Sequence, residues 1–406
     1  MALEAIKQLL SRKVRIPAPE SVFIDPATAI DRIAPEAIIH PGCRILGKET
    51  SIGPGCELGR EAPATLEDCQ LGAEVRLKGG FYSGAVFLNR AQLGSGAHVR
   101  PGVLLEEDAG GAHAVGLKQT VLMPFVTLGS LINFCDCLMA GGTSRKNHGE
   151  VGSSYIHFNF TPHQDKATPS LLGDVPGGVL LDQPPIFMGG QGGLVGPAQV
   201  AYGAITPAGV IVRGDIVKQG IYNPPGLDKQ PSRAYQPGRY NRIDRILTAN
   251  LRYIGNIIAL RAWYENVRAP FMRADPFQAA CHAGALKRLN EILAERLRRM
   301  EELAGKMPAS IKLNGADPAG DLSGNQRLLQ QKRFYECWPE MRGHIQTITK
   351  RNWAPARILQ AELTDKSGQD YLETIRALSP AARTVARTEL NKIVASAMNV
   401  SSQILN

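Results

Sequence analysis

The chain has 406 residues, of which 44% are hydrophobic and 20% are charged, and its formal net charge is +9. This composition excludes a largely disordered chain, and the length allows two domains with a core each. The basic residues are dispersed and only 6% of the residues are aromatic, so we expect no nucleic-acid partner. Two explanations of the charge stay open: an acidic small substrate, such as a phosphate or a nucleotide, or a basic face that is simply solvated.

Residues 1–30 are predicted to form a short amphipathic helix and a lead-in to the rest of the chain. Glu4, Lys7 and Arg12 lie among leucines and isoleucines there, and such a mixture is not typical of a signal peptide. The sequence contains no run of about 18 uncharged apolar residues, so we expect no membrane partner either.

From residue 31 to about residue 220 the sequence repeats with a period of six. Hexads such as VRPGVL (99–104) and VRGDIV (212–217) have an aliphatic residue first and a small or branched residue fifth. This period is typical of a coiled β-solenoid, in which each hexad forms a short strand and a corner and both positions point inward. The predicted fold class is therefore mainly β. The predicted inward residues at the fifth position include Val75, Phe81, Ala91, Ala97, Val103, Ala109 and Val121.

The seven cysteines are an odd number and are spread along the chain. Cys43, Cys56 and Cys69 take the inward fifth position of their hexads, which predicts core residues in a reducing compartment, and we expect a cytoplasmic protein. Cys135 and Cys137 lack a second cysteine pair that would complete a zinc set, so no metal is predicted.

The strict repeat weakens at residues 123–186, which predicts loop insertions into the solenoid, and binding residues tend to lie on such loops. A segment rich in proline and glycine at 221–240 predicts a linker, and residues 241–406 then show helical periodicity. This α-helical C-terminal domain is either a cap or oligomerisation domain, or a lid over a substrate site. The predicted helices span 241–268, 277–305, 325–350 and 380–403, with a long loop over 306–325.

The stretch from Ala97 to Ile216 resembles the left-handed parallel β-helix of the hexapeptide-repeat acyltransferases. It is most similar to the acetyltransferase domain of bifunctional N-acetylglucosamine-1-phosphate uridyltransferase/glucosamine-1-phosphate acetyltransferase. The resemblance implies a homotrimer, acetyl-CoA or another acyl-CoA as donor, and a sugar phosphate or nucleotide sugar as acceptor. Since only about 30 residues precede the first hexad, we expect no uridyltransferase activity, which needs a nucleotide-binding domain.

The resemblance also implies roles for individual residues. Arg100 in HVRPG and Lys118 in GLKQT match the residues that hold the phosphate of the sugar, a task that suits an arginine fork and a lysine charge. Three residues in NFTPHQDK match contacts to the amino sugar, and one glycine and one alanine further along the chain match residues of the coenzyme groove. These positions are Asn159, Phe160 and Lys166 for the sugar, and Gly190 and Ala208 for the coenzyme.

The sequence departs from the family at the catalytic base. The run GSLINF places Ser130 at the position of the family's histidine and Asn133 at that of a substrate-binding tyrosine. Acyl transfer to an amine needs a base that works near neutral pH, which serine does not supply. We hypothesise that His148 or His157 replaces it, activated by Glu150; alternatively, these histidines only cap loops.

Two functions from different classes therefore stay open. The first is an acyl-CoA-dependent transferase acting on a sugar phosphate or nucleotide sugar. The second is a non-catalytic sugar-nucleotide sensor, or a trimeric scaffold, that kept the phosphate-binding residues after losing the base. Binding of acetyl-CoA favours the first, and sugar-nucleotide binding without affinity for the coenzyme favours the second.

Overall fold

The computed structural model describes residues 2–159, 161–163, 165–224, 235–364 and 370–402. The chain passes in turn through three parallel β-sheets of ten, eight and ten strands, and a helical region follows. The fold is a parallel β-solenoid of about 11 turns followed by helices, which confirms the predicted fold class at this level.

The strands are short because each turn of the solenoid has to bend at three corners. In chain order they are β1 (Phe23–Ile24), β2 (Ile38–Ile39), β3 (Arg44–Leu46), β4 (Ser51–Ile52), β5 (Glu57–Leu58), β6 (Ala64–Glu67), β7 (Gln70–Leu71), β8 (Arg76–Leu77), β9 (Gly80–Ser83), β10 (Ala85–Phe87), β11 (Gln92–Leu93), β12 (Ala97–Val99), β13 (Val103–Leu105), β14 (Gly110–Gly111), β15 (Gly116–Lys118), β16 (Thr120–Leu122), β17 (Thr127–Leu128), β18 (Asn133–Cys135), β19 (Cys137–Met139), β20 (Gly142–Ser144), β21 (Asn147–His148), β22 (Glu150–Val151), β23 (Ile156–Asn159), β24 (Ser170–Leu172), β25 (Phe187–Met188), β26 (Gly193–Gly196), β27 (Gln199–Val200), β28 (Ala204–Thr206), β29 (Ile211–Val212) and β30 (Gly220–Ile221).

Every third strand along most of the chain belongs to the same sheet. Sheet 1 has the order β1-β3-β6-β9-β12-β15-β18-β23-β26-β29 and sheet 2 the order β27-β24-β19-β16-β13-β10-β7-β4. Sheet 3 has the order β2-β5-β8-β11-β14-β17-β22-β25-β28-β30, and β20 and β21 form a separate antiparallel hairpin.

The helices flank the solenoid in sequence, except α2, which lies between β24 and β25. They are α1 (Ala2–Ser11), α2 (Val175–Gly178), α3 (Asp244–Trp263), α4 (Ala269–Met272), α5 (Pro276–Gly305), α6 (Met307–Leu313), α7 (Gln326–Lys350), α8 (Arg357–Thr364), α9 (Tyr371–Arg376) and α10 (Pro380–Asn399). Short 3-10 turns lie at Pro19–Ser21 and Ile30–Arg32, and the π-helical segment Tyr264–Arg268 joins α3 to α4.

The solenoid interior is filled by the residues that the hexads place first, such as Leu93, Val99 and Leu105, all of which are fully buried. Among the fifth positions, Phe81 and Val121 were predicted inward, and that prediction is wrong. Neighbouring turns there are 17 residues apart rather than 18, as in the pairings Phe81↔His98 and Leu104↔Val121. Because side chains alternate along a strand, this one-residue difference turns both side chains outward.

Sheet 2 has an apolar outer face over several turns, and the helices cover it. In five successive turns the outward residue is apolar, and each pairs in register with the next: Val86, Leu104, Val121, Leu138 and Leu171. All five are buried in one cluster with residues of the helices. The helical region therefore packs lengthwise on sheet 2, with α5 against β4, β7, β10 and β13 and α3 against β24.

The helical region departs from the prediction between the long helices. The predicted loop over 306–325 begins with the helix α6, whose Pro308 lies in the first turn, where proline costs no hydrogen bond. The helices α8 and α9 were not predicted. The predicted linker 221–240 includes residues 225–234, outside the described residues, but its last residue Tyr240 donates a hydrogen bond to Asp165 of the solenoid at 2.8 Å.

A buried charged cluster also joins the helices to the solenoid. Arg268, at the end of the π-helical segment, lies 3.1 Å from Glu106 and 2.6 Å from Glu107 on the corner after β13. Tyr264 donates a hydrogen bond to Glu106, and the Arg268 guanidinium lies 3.9 Å from the ring centroid of Tyr371. Burial raises the pKa of Glu106, although the positive charge of Arg268 opposes this shift.

We predict that Arg268→Met lowers the free energy of unfolding by about 3–5 kcal/mol, because it leaves two buried carboxylates without a counter-charge. The loss should shrink as the pH falls, since protonation of Glu106, whose pKa burial raises, is then favoured in the folded state. Denaturant unfolding at several pH values measures both effects. Arg342→Met is the matched control: its pair with Glu301 is about half exposed, so a change within about 0.5 kcal/mol is expected. Equal losses in the two variants would contradict the prediction.

Candidate functional site

The corner between sheets 3 and 1 stacks the same kind of turn on successive levels. Its residues form a column, here called the corner column: Ser95, His113, Ser130, Ser153, Gly190 and Ala208. From level to level, the residue that follows a column member donates its backbone N–H to the carbonyl of the member below, as Leu131 does to His113 at 3.0 Å. The structure thus places Ser130, Gly190 and Ala208, inferred separately from the sequence, on one line.

Glycine allows these levels to approach each other closely. A Cβ atom on Gly152 would lie 2.4 Å from the backbone nitrogen of Gly190, which no side chain tolerates. The following turn residues adopt left-handed backbone conformations, with φ of 59° at Leu131 and 61° at Ser154. The corner is therefore a narrow ridge with little side-chain bulk around Gly190, a surface along which an extended ligand can lie.

An exposed histidine accompanies Ser130 on the ridge. Ser130 Oγ lies 2.9 Å from Nδ1 of His113, and the backbone nitrogen of Ser130 donates to Ser153 Oγ at 3.2 Å. The sequence analysis missed His113 because it lies one turn before Ser130. The local 17-residue step was the signal that could have found it, since that step puts His113 directly beneath Ser130.

A groove of about 430 Å³ lies beside the ridge on the outer face of sheet 3. Gly110 forms its floor between Gln92 and Thr127, its register partners, because it contributes no side chain there. The other polar lining residues include His113 from the corner column and four charged side chains, Glu61, Lys78, Asp108 and Arg145. Each carboxylate is paired with one of the cations, Glu61 with Lys78 at 3.0 Å and Asp108 with Arg145 at 3.0 Å.

The hairpin β20–β21 forms one side of this groove. Arg145 at its tip binds Asp108, which Arg90 also contacts at 3.0 Å. His148 donates from Nδ1 to the Arg145 carbonyl at 2.8 Å, and its Nε2 lies 3.6 Å from Glu150. The predicted pair of His148 and Glu150 is thus brought together, next to Thr127, the register partner of Glu150.

A replacement base has to be accessible to the substrate, and His157 is not. Its register partner is Leu194, in the solenoid interior, and its side chain is only 3% exposed. Nε2 lies 3.0 Å from Ser170 Oγ, and burial lowers the pKa of His157 to about 4. A substrate cannot reach this imidazole, which is neutral at physiological pH, so the expectation for His157 is corrected: its place is in the core.

The predicted phosphate-binding residues lie on the outer face of sheet 1, on the other side of the ridge. Lys118 pairs in register with Cys135, and Arg100 Nη2 lies 3.5 Å from Cys135 Sγ. Asn133 Oδ1 accepts from the same thiol at 3.7 Å, three residues after Ser130 of the ridge. Two cations and one amide therefore gather around Cys135.

The remaining predicted sugar-binding residues lie further along the solenoid. Asn159 is exposed at the end of β23, and Phe160 lies outside the described residues. The Lys166 carbonyl accepts from Arg296, which also binds Asp136 at 2.7 Å, so Lys166 lies near the corner that follows β18. Its side chain is exposed there.

Comparison with protein-family models finds no family that matches the chain, and comparison with curated protein sequences finds no match. Within the residues that the structure describes, no three side chains of His, Cys, Asp or Glu gather as a metal site would require. In the same part of the chain, each helix is too short or too polar to span a bilayer.

Thiol labelling tests the Cys135 surroundings. All seven cysteines are free; Cys135 and Cys337 are partly exposed and the other five are buried, so a disulfide reagent should label two thiols in the native protein. Burial raises the pKa of both thiols, so the rates should increase with pH as thiolate forms. Inorganic phosphate held by Arg100 and Lys118 should slow the labelling of Cys135 but not that of Cys337. Equal rates with and without phosphate, with Cys135→Ser used to assign the signals, would argue against an anion site.

Proposed function

We propose that the protein is an acyl-CoA-dependent acyltransferase that acts on a phosphorylated or nucleotide-linked sugar. The proposal includes a left-handed solenoid of hexapeptide repeats and a cytoplasmic homotrimer, as the family resemblance implies. The observation that carries it is the exposed pair of His113 and Ser130, 2.9 Å apart, on the ridge between a cationic face and a groove.

His113 supplies the general base that the sequence alone did not reveal. When Nδ1–H donates to Ser130 Oγ, Nε2 is left unprotonated and can take a proton from the acceptor amine or hydroxyl. Histidine is the side chain suited to such transfer near neutral pH. His148, oriented by the Arg145 carbonyl and beside Glu150, is a second candidate, on the hairpin whose Arg145 lines the groove.

The cations on the sheet 1 side of the ridge favour an anionic substrate. Arg100 and Lys118 on sheet 1 would hold the acceptor phosphate, with Asn133 beside them and Asn159 and Lys166 further along. The ridge around Gly190 and Ala208 offers a narrow backbone surface for the pantetheine arm of an acyl-CoA. The net charge of +9 agrees with two anionic ligands.

Exposed apolar residues near the last turns favour association with further copies of the chain. On sheet 3, Phe187, Ile205 and Ile221 are register neighbours and 40%, 40% and 66% exposed. Ile156 and Ile211 are exposed on sheet 1, across the ridge that carries Gly190. Exposed apolar residues on two adjoining faces match the arrangement in which each subunit of a trimer contacts two others.

Substitution of the histidines tests the catalytic proposal. Release of the CoA thiol from acetyl-CoA would be followed with glucosamine-1-phosphate and nucleotide sugars as acceptors. We expect His113→Ala to lower kcat by about 10²–10⁴-fold, as loss of a general base does, and Ser130→Ala to have a smaller effect. His148→Ala distinguishes the second candidate, and His344→Ala, on the exposed side of α7, should leave the rate unchanged.

A binding measurement on the wild-type protein tests the alternative of a sensor or scaffold. Binding of a sugar nucleotide by the wild-type protein, together with no affinity for acetyl-CoA, would contradict the transferase proposal and favour the non-catalytic one. Turnover that is unaffected by both His113→Ala and His148→Ala would contradict the assignment of the base.

A further inference from the structure

The outer face of sheet 1 carries a row of flat side chains that is interrupted at one strand. Phe81, His98, Gly116 and Asn133 are register neighbours on the successive strands β9, β12, β15 and β18. The rings of Phe81 and His98 stack, with their centroids 5.5 Å apart and their planes at 30°. Gly116 has no side chain to continue the stack, so a slot lies between the exposed side chains of His98 and Asn133.

This slot is wide enough for one planar ring. Neighbouring strands of a sheet are about 4.8 Å apart, so His98 and Asn133, which are two strands apart, are separated by about 10 Å. Asn133 Oδ1 borders the slot, since a Cβ atom added to Gly116 would lie 3.4 Å from it. A ring in the slot would therefore stack on His98, with an amide beside it that can donate to its edge or accept from it.

The packing of the solenoid does not require glycine at position 116. Gly116 is not among the residues with positive φ, and a Cβ atom there would meet no atom nearer than 3.4 Å. Other strand glycines are required: a Cβ atom on Gly80 of the same sheet would clash with the Ala97 carbonyl oxygen. A side chain at position 116 would fit the fold and would fill the slot, so the opening is not a by-product of close packing.

Two cations lie beside the slot on the same face. Lys118 belongs to the strand of Gly116, and Arg100 directly follows the strand of His98; each lies two residues further along the chain. Two residues of a strand span about 6.7 Å. Among the described residues, no ion pair includes either cation. The distance from a ring in the slot to the cations is therefore comparable with the span of a ribose between a base and its phosphate.

We infer that the anionic ligand of sheet 1 is a nucleotide or a nucleotide-linked sugar, and not a simple sugar phosphate. Its base stacks on His98 above Gly116, Asn133 contacts the edge of the base, and Arg100 and Lys118 hold the phosphate. This inference rests on the proposed function, because it uses the same two cations as the phosphate site, but it does not depend on acyl transfer.

Calorimetric titration of the full-length protein, without acyl-CoA, tests the inference. UMP and AMP are compared with ribose 5-phosphate, which has the same ribose and phosphate but no base, and with glucosamine-1-phosphate. We expect UMP or AMP to bind about tenfold or more tightly than either ligand without a base, because stacking of a base on a side chain adds affinity of about this size.

Variants locate the base. Gly116→Val fills the slot with a side chain that suits a strand, and His98→Ala removes the stacking surface. Each should weaken nucleotide binding by about tenfold or more and leave the binding of ribose 5-phosphate unchanged. Arg100→Ser should weaken both ligands alike. Thr65→Val, on the same face two strands before His98, conserves shape and should bind like the wild type. His98→Ala changes an exposed side chain, so it stays informative should Gly116→Val not fold.

The outcomes separate this inference from the proposed acyl transfer. Equal affinities for the nucleotides and ribose 5-phosphate, or nucleotide binding that both Gly116→Val and His98→Ala leave unchanged, would overturn the inference. Acetyl transfer to glucosamine-1-phosphate without nucleotide binding would overturn it alone. Nucleotide binding that depends on His98 and Gly116, in a protein that transfers no acetyl group, would support the base site and contradict the transferase. Absence of binding by all four ligands would contradict the phosphate site and this inference together.

Discussion

The apolar outer face of sheet 2 is the constraint on which the arrangement of this protein depends. Five successive turns present Val86, Leu104, Val121, Leu138 and Leu171 outward, and water would cover them without the helices. Burial of such side chains is the dominant favourable term in folding, so α3 and α5 are held lengthwise along this face. The outer face of sheet 2 and the helices consequently share one core, which is separate from the core inside the solenoid.

This packing decides where function can lie. With sheet 2 covered, sheets 1 and 3 and the corner between them remain accessible among the described residues. That corner carries the ridge with His113 and Ser130, and the groove and the cationic face flank it. The charged cluster of Arg268 holds the helices at Glu106 and Glu107, the two residues that directly precede Asp108. Asp108 in turn binds Arg145 of the groove. The structural core and the candidate site are therefore contiguous.

The sequence allowed prediction of the solenoid because the predicted repeat extends over many turns, so that one misplaced unit leaves the pattern visible. It did not allow prediction of local shifts. Phe81 and Val121 point outward because single turns are one residue shorter, and the same kind of shift hid the contact of His113 with Ser130. His157 was misplaced because alternation gives opposite faces but does not say which of them is interior. The packing of the helices on sheet 2 could not be predicted from the sequence either, since helical periodicity identifies an apolar face of a helix but not the surface that it packs against.

Equilibrium unfolding tests the shared core most directly. The three tryptophans, Trp263, Trp338 and Trp353, all lie in the helical region, so their fluorescence reports on that region, while far-ultraviolet circular dichroism also includes the solenoid. A shared core predicts that both signals change in one coincident transition with denaturant. A fluorescence transition at lower denaturant, with the strand signal of the solenoid retained, would contradict it.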